Sequence, residues 1–198
     1  LLCQALGVKC VIIELPQGVM RSPKVLAQPS QPMTASYHQG TVKNVLLDVQ
    51  KLAQQLINGG FEVTRIKIEA MVNNHDVPVV DDEAKLHPPT NYFEFHVKAT
   101  LPADFNLEAL RIFCWKYNAH LSANACKQQV NGQQQRFITM RLYGVGRCSA
   151  QASFDALLTA LKAEGLKLSQ PQKEYTVYDS NLNLDQGWFS TDNQGSDA

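Results

Sequence analysis

The sequence predicts an α+β fold in which helices cover one face of a mixed sheet and the other face stays open and polar. Three observations predict it. Strand-like and helix-like periodicities alternate along the chain. Four strand candidates each carry one apolar and one polar side. The succession strand, glycine, helix, glycine, strand occurs at 32–72 and again at 136–180.

Taken in order, "VKCVIIEL" (8–15) and "PMTASYH" (32–38) read as strands from their β-branched and aromatic content. Residues 41–60 place Val42, Val45, Leu46, Val49, Leu52, Ala53, Leu56 and Ile57 on one helical face, with Thr41 as N-cap and Gly59 or Gly60 as stop. Strands follow at 62–72 and 92–101. A second helix is expected over 106–125, where Leu107, Leu110, Cys114, Tyr117 and Leu121 share a face. Strand 136–144 precedes a third helix, from Ser149 to Gly165, which buries Ala150, Phe154, Leu157, Leu158 and Leu161, and strand 174–180 closes the order. After the first strand this is β-α-β-β-α-β-α-β, which matches a ferredoxin-like β-α-β-β-α-β unit extended by a further α-β. The expected organisation is an N-terminal strand and linker (1–31), one α+β domain (32–182) and an acidic tail (183–198).

Composition excludes several classes. With 18 basic and 18 acidic residues the chain has no net charge to draw it to DNA or an anionic membrane. Glu174, Asp179, Asp185, Asp192 and Asp197 follow the last lysine, so the body is mildly basic and the end acidic. Cys3, Cys10, Cys114, Cys126 and Cys148 are odd in number and form no C-x-x-C pair, which favours a reducing cytoplasm over a disulfide scaffold or a zinc knuckle. No apolar run approaches a membrane span. The start "LLCQALGVKC" has neither an initiator Met nor a basic leader, as expected of a trimmed chain or a piece of a longer one.

In "YFEFHVKATL" (92–101), Phe93, Phe95, Val97, Ala99 and Leu101 point one way, and Tyr92, Glu94, His96, Lys98 and Thr100 the other. Solubility explains such alternation. It does not explain the residue types, because the polar sides of the four strands also collect Thr34, Ser36, His38, Arg65, Lys67, Glu69, Thr139 and Arg141. Arg and Lys clamp anions, and His with Glu moves protons near neutral pH. The expected function is therefore a small cytosolic hydrolase or transferase acting on a phosphorylated or other anionic small molecule. His96 would be acid or base, Glu94 its orienting partner and His38 a second proton donor, with Arg65, Lys67, Lys98, Arg141 and Arg147 holding the anion. The alternative is a non-catalytic module that binds RNA or a protein on the same face. Tyr92, Phe137 and Tyr143 offer rings for it, but no RNP1 motif accompanies them, so nucleic acid is disfavoured.

Glu94, His96 and Lys98 resemble in part the E-x-E-x-K strand of the triphosphate-tunnel family, with His in place of the middle acid. That resemblance implies a metal held by acids and a polyphosphate held by bases. The two-histidine phosphoesterases set H-x-[ST] motifs on facing strands of duplicated lobes. The one match, "HLS" at 120–122, falls within the expected second helix. "GVGRCS" (144–149) opens a helix, so its amides and Arg147 form an expected phosphate cradle or a plain turn. Its G-x-G-x-x-G is incomplete, which argues against a nicotinamide cofactor. The acids and histidines of 73–90 have no metal-ligand spacing and read as a mobile acidic loop, and no metal site is expected. Neither a cofactor nor an oligomeric state follows from the sequence.

Overall fold

The computed structural model describes residues 2–14, 30–122, 127–128 and 132–185, and the chain divides into two units, Leu1–Ile68 and Glu69–Ala198. The division falls inside the strand expected at 62–72. Most of the expected acidic tail, 186–198, lies outside the described residues, as does Cys126.

In the N-terminal unit, a short helix α1 (Leu2–Ala5) leads into β1 (Lys9–Glu14), which pairs antiparallel with β2 (Ser30–Ala35) from Lys9↔Ala35 to Glu14↔Ser30. Helix α2 (Val42–Asn58) follows, started by Thr41, whose Oγ1 accepts a hydrogen bond from the Asn44 amide at 3.3 Å, and stopped at Gly59. Strand β3 (Lys67–Met71) crosses the division between the units.

The second unit continues with α3 (Asp81–Ala84), β4 (Tyr92–Leu101), α4 (Leu107–Trp115), β5 (Ala119–Leu121), β6 (Lys127–Gln128), β7 (Gln134–Tyr143), α5 (Arg147–Ala163), β8 (Lys167–Leu168) and β9 (Gln172–Asp179), then a 3-10 turn at Leu182–Asp185. The sheet order is β3-β9-β4-β7-β5, with β6 on β7 and β8 on β4. β4 runs antiparallel to β7 from Tyr92↔Tyr143 to Leu101↔Gln134 and to β9 from Tyr92↔Thr176 to His96↔Gln172. The architecture is α+β with a mostly antiparallel sheet. The strand expected to open the ferredoxin-like unit, 32–38, pairs with β1 in a separate two-stranded sheet, so that specific unit is not established.

The alternation of β4 explains the core. Phe93, Phe95, Val97, Ala99 and Leu101 are all buried, packed with Leu110 and Cys114 of α4 and with Ala150, Phe154, Leu157 and Leu161 of α5. Phe95 meets Phe154 edge to face at 5.2 Å. Each large side chain removed from water here contributes about 1.5–3 kcal/mol. Burial pushes the Cys114 thiol up to about 12, which makes it an inert core group.

Two expectations need correction. The helix expected over 106–125 ends at Trp115, because Asn118 takes a left-handed φ of 52°, and Ala119–Leu121 then pairs with β7 as a strand. His120, expected within that helix, is therefore a strand residue. The 73–90 segment, expected as a mobile acidic loop, is pinned by its own acids. Glu83 Oε2 accepts from the Val79 amide at 2.6 Å, and Asp81 Oδ1 accepts from the Gly146 amide at 2.7 Å.

Candidate functional site

Antiparallel partners share a face, so the register defines the polar side of the second unit's sheet. Across β4 and β7 it runs Tyr92↔Tyr143, Glu94↔Arg141, His96↔Thr139 and Lys98↔Phe137. On β5, His120 is also the partner of Thr139. His96, Thr139 and His120 consequently form one row across three strands, on the side away from the Phe93–Leu101 core.

The neighbouring row is a buried ion pair. Arg141 Nε donates to Glu94 Oε2 at 2.7 Å and Arg141 Nη2 reaches the same oxygen, with the two side chains only 6% and 7% exposed. The guanidinium also lies over the Tyr92 ring, 4.4 Å from its centroid, and the Tyr92 hydroxyl donates to Asp179 Oδ2 at 2.8 Å. Glu94 stands opposite Glu174 on β9, a like-charge placement that Arg141 offsets.

For a neutral ring these contacts select one tautomer of His96. Its Nε2 lies 3.1 Å from Glu94 Oε1, and an ionised carboxylate only accepts, so Nε2 carries the proton. In the neutral ring Nδ1 is then an acceptor, and the Thr139 hydroxyl, 2.8 Å away, donates to it. A hydroxyl held on an imidazole whose far nitrogen is fixed by a carboxylate is the relation of nucleophile, base and orienting acid. His96 and His120 are half-buried, while Thr139 is buried. At the more open end, Lys98 Nζ sits 5.1 Å from the Phe137 ring centroid.

The expected site residues are thus distributed unevenly. Glu94, His96, Lys98 and Arg141 come together on this face. His38, Arg65 and Lys67 belong to the N-terminal unit, where His38 Nε2 shares a hydrogen bond with Ser36 Oγ at 2.9 Å. Arg147 lies at the start of α5, where its Nη1 donates to the Val72 carbonyl at 2.8 Å. The expected phosphate cradle at that helix end is filled from within the chain. Asp81 takes the Gly146 amide and, through Oδ2, the Ser149 hydroxyl at 3.0 Å, while Arg147 and Cys148 amides donate to Pro78 and Val79 carbonyls. The Gly146 and Ser149 hydrogen bonds hold the Asp81 carboxyl below the ordinary carboxylate value.

Thr139 was expected on the polar face but without a role, and His120 was not among the expected site residues. The "WKYN" stop before "AHL" is the sequence signal that separates His120 from the helix. Among the described residues no group of three or more His, Cys, Asp or Glu side chains is arranged to hold a metal, and no helix is long and apolar enough to cross a membrane.

No protein-family model, curated protein or solved structure matches the chain.

Proposed function

We propose that the chain is a hydrolase or transferase acting on a phosphorylated or other anionic small molecule at the polar face of its second unit. The observation that carries this reading is the row His96–Thr139–His120, with the Glu94 carboxylate on His96 Nε2. His96 Nδ1 is the base for the Thr139 hydroxyl or for a water that takes its place. Glu94 holds the tautomer, and Arg141 keeps Glu94 ionised and fixed. Because Arg141 is committed to Glu94, the clamp on the anion falls to Lys98, and His120 supplies a second proton-transferring group. His96 and His120 stand on β4 and β5, on either side of β7. His120-Leu121-Ser122 has the H-x-[ST] pattern of the two-histidine phosphoesterases, whereas His96 is followed by Val97-Lys98 and lacks it.

A second reading has one observation in its favour. Both ring nitrogens of His96 hold protein partners, as expected of a structural network on a non-catalytic binding surface.

The test is a panel of phosphate mono- and diesters followed by phosphorus NMR, with wild type, His96→Ala and His120→Ala. The proposal expects turnover of at least one ester and a loss of at least about 100-fold in each variant, with folding retained. A silent wild type, or full activity in both variants, would move the weight to the binding surface.

A further inference from the structure

A second charged site lies on the helix side of the same sheet. Lys173 stands opposite Phe95 in the register and so points to the α5 side, away from the His96 row. There a groove of about 670 Å³ is lined by Val72, Arg147, Cys148, Gln151, Asp155 and Lys173, among others. That size suits a small molecule.

Two half-buried cations line this groove, and neither has a carboxylate partner among the described residues. Arg147 donates through Nη1 to the Val72 carbonyl at 2.8 Å and to Asn73 Oδ1 at 3.3 Å. Both acceptors are neutral, and Nε and Nη2 have no acceptor among the described residues. The single anchored nitrogen fixes the guanidinium and leaves its remaining donors available as a fork. Lys173 Nζ donates to Gln151 Oε1 at 2.7 Å, and Gln151 Nε2 donates to Asp155 Oδ1 at 2.6 Å. The one acid lining the groove is therefore turned to an amide, not to either cation. Arg147 and Gln151 are four residues apart on α5 and hence neighbours on one helical face, so Lys173, held on Gln151, stands within about a helical turn of Arg147. Holding two cations partly out of water without a counter-charge is costly. An oxyanion between them would offset that cost.

We propose that this groove binds the carboxylate or phosphate group of a small organic anion, held by Arg147 and Lys173, with its apolar part against Val72 and Ala152. The exposed Cys148 thiol lines the same groove and reports on occupancy. The experiment is the rate of Cys148 alkylation by iodoacetamide on the full chain, read by peptide mass spectrometry. Inorganic phosphate is titrated in one arm, benzoate in another and chloride at matched ionic strength in a third. The expected result is a saturable slowing, threefold or more, by phosphate, benzoate or both, absent with chloride. Whichever arm responds names the oxyanion. The effect should disappear in Lys173→Gln and in Arg147→Gln and persist in His96→Ala, which separates this site from the sheet face. Should Arg147→Gln fail to fold, Lys173→Gln alone decides. Rates that track ionic strength alone, or protection that survives in Lys173→Gln, would overturn the proposal.

Discussion

Arg141 Nε donates to Glu94 Oε2 at 2.7 Å across β4 and β7, and both side chains are more than nine-tenths buried. Removing one partner leaves an uncompensated charge inside the protein. Arg141→Met should therefore destabilise the fold by about 3–5 kcal/mol, as read by urea denaturation. The double variant Glu94→Leu, Arg141→Met should recover much of that loss. A single variant as stable as wild type would mean the pair is solvated in solution.

Asp81 ties the 73–90 segment to the N-terminus of α5, and its carboxyl is held below the ordinary value of 3.8. A group with a depressed folded value stabilises fully above its unfolded value and loses that contribution as pH falls through the folded one. The melting temperature of wild type should exceed that of Asp81→Asn at neutral pH. The gap should shrink as pH falls below 3.8. A gap unchanged at strongly acidic pH would contradict the role given to this charge.

Gly146 is required for space. Its φ of −82° is open to any residue, but a Cβ there would stand 2.3 Å from the Val80 carbonyl carbon and 2.5 Å from its Cα. Gly146→Ala must push the 78–81 segment off the helix end, at a cost of about 1–3 kcal/mol. Thermal melts should register this as a lowered midpoint, and an unchanged midpoint would mean the segment is held loosely.

Thr176 is fully buried opposite Tyr92, and its Oγ1 has no hydrogen-bond partner among the described residues. A hydroxyl in that state costs free energy that an isosteric methyl does not. Thr176→Val should leave stability unchanged or raise it by about 1 kcal/mol in chemical denaturation. A clear loss would mean that the hydroxyl holds a water or a ligand.

Much of this was legible in the sequence, and the misses have physical causes. The two-residue period of β4 identified its core side from Phe93 to Leu101, but the other side is not open as expected. Tyr92, Glu94 and Thr139 are buried there too, and only from His96 onward does that side of β4 alternate toward solvent. The apolar stripe of α5 was equally clear, with Ala150, Phe154, Leu157 and Leu161 all buried. Periodicity does not name a strand's partner, however, and β2 joined β1 instead of the main sheet. A three-residue strand is too short to show a period, so Ala119–Leu121 disappeared into the preceding helical pattern and took His120 with it. Glu94 and His96 were visible as a pair two residues apart. Thr139 could join them only once the β4–β7 register was known. The acids of 73–90 looked like a solvated loop because a cap supplied to a distant helix, such as Asp81 to α5, leaves no local pattern.

On the proposed function, His96 and His120 flank one binding position on the polar face. The most direct measurement is a titration with inorganic phosphate at fixed pH, followed at the imidazole proton resonances of both histidines, in wild type and in Lys98→Gln. Both rings should shift together along one saturable curve, and affinity should fall in Lys98→Gln. Rings that stay unmoved, or that respond with unrelated affinities, would contradict a shared site.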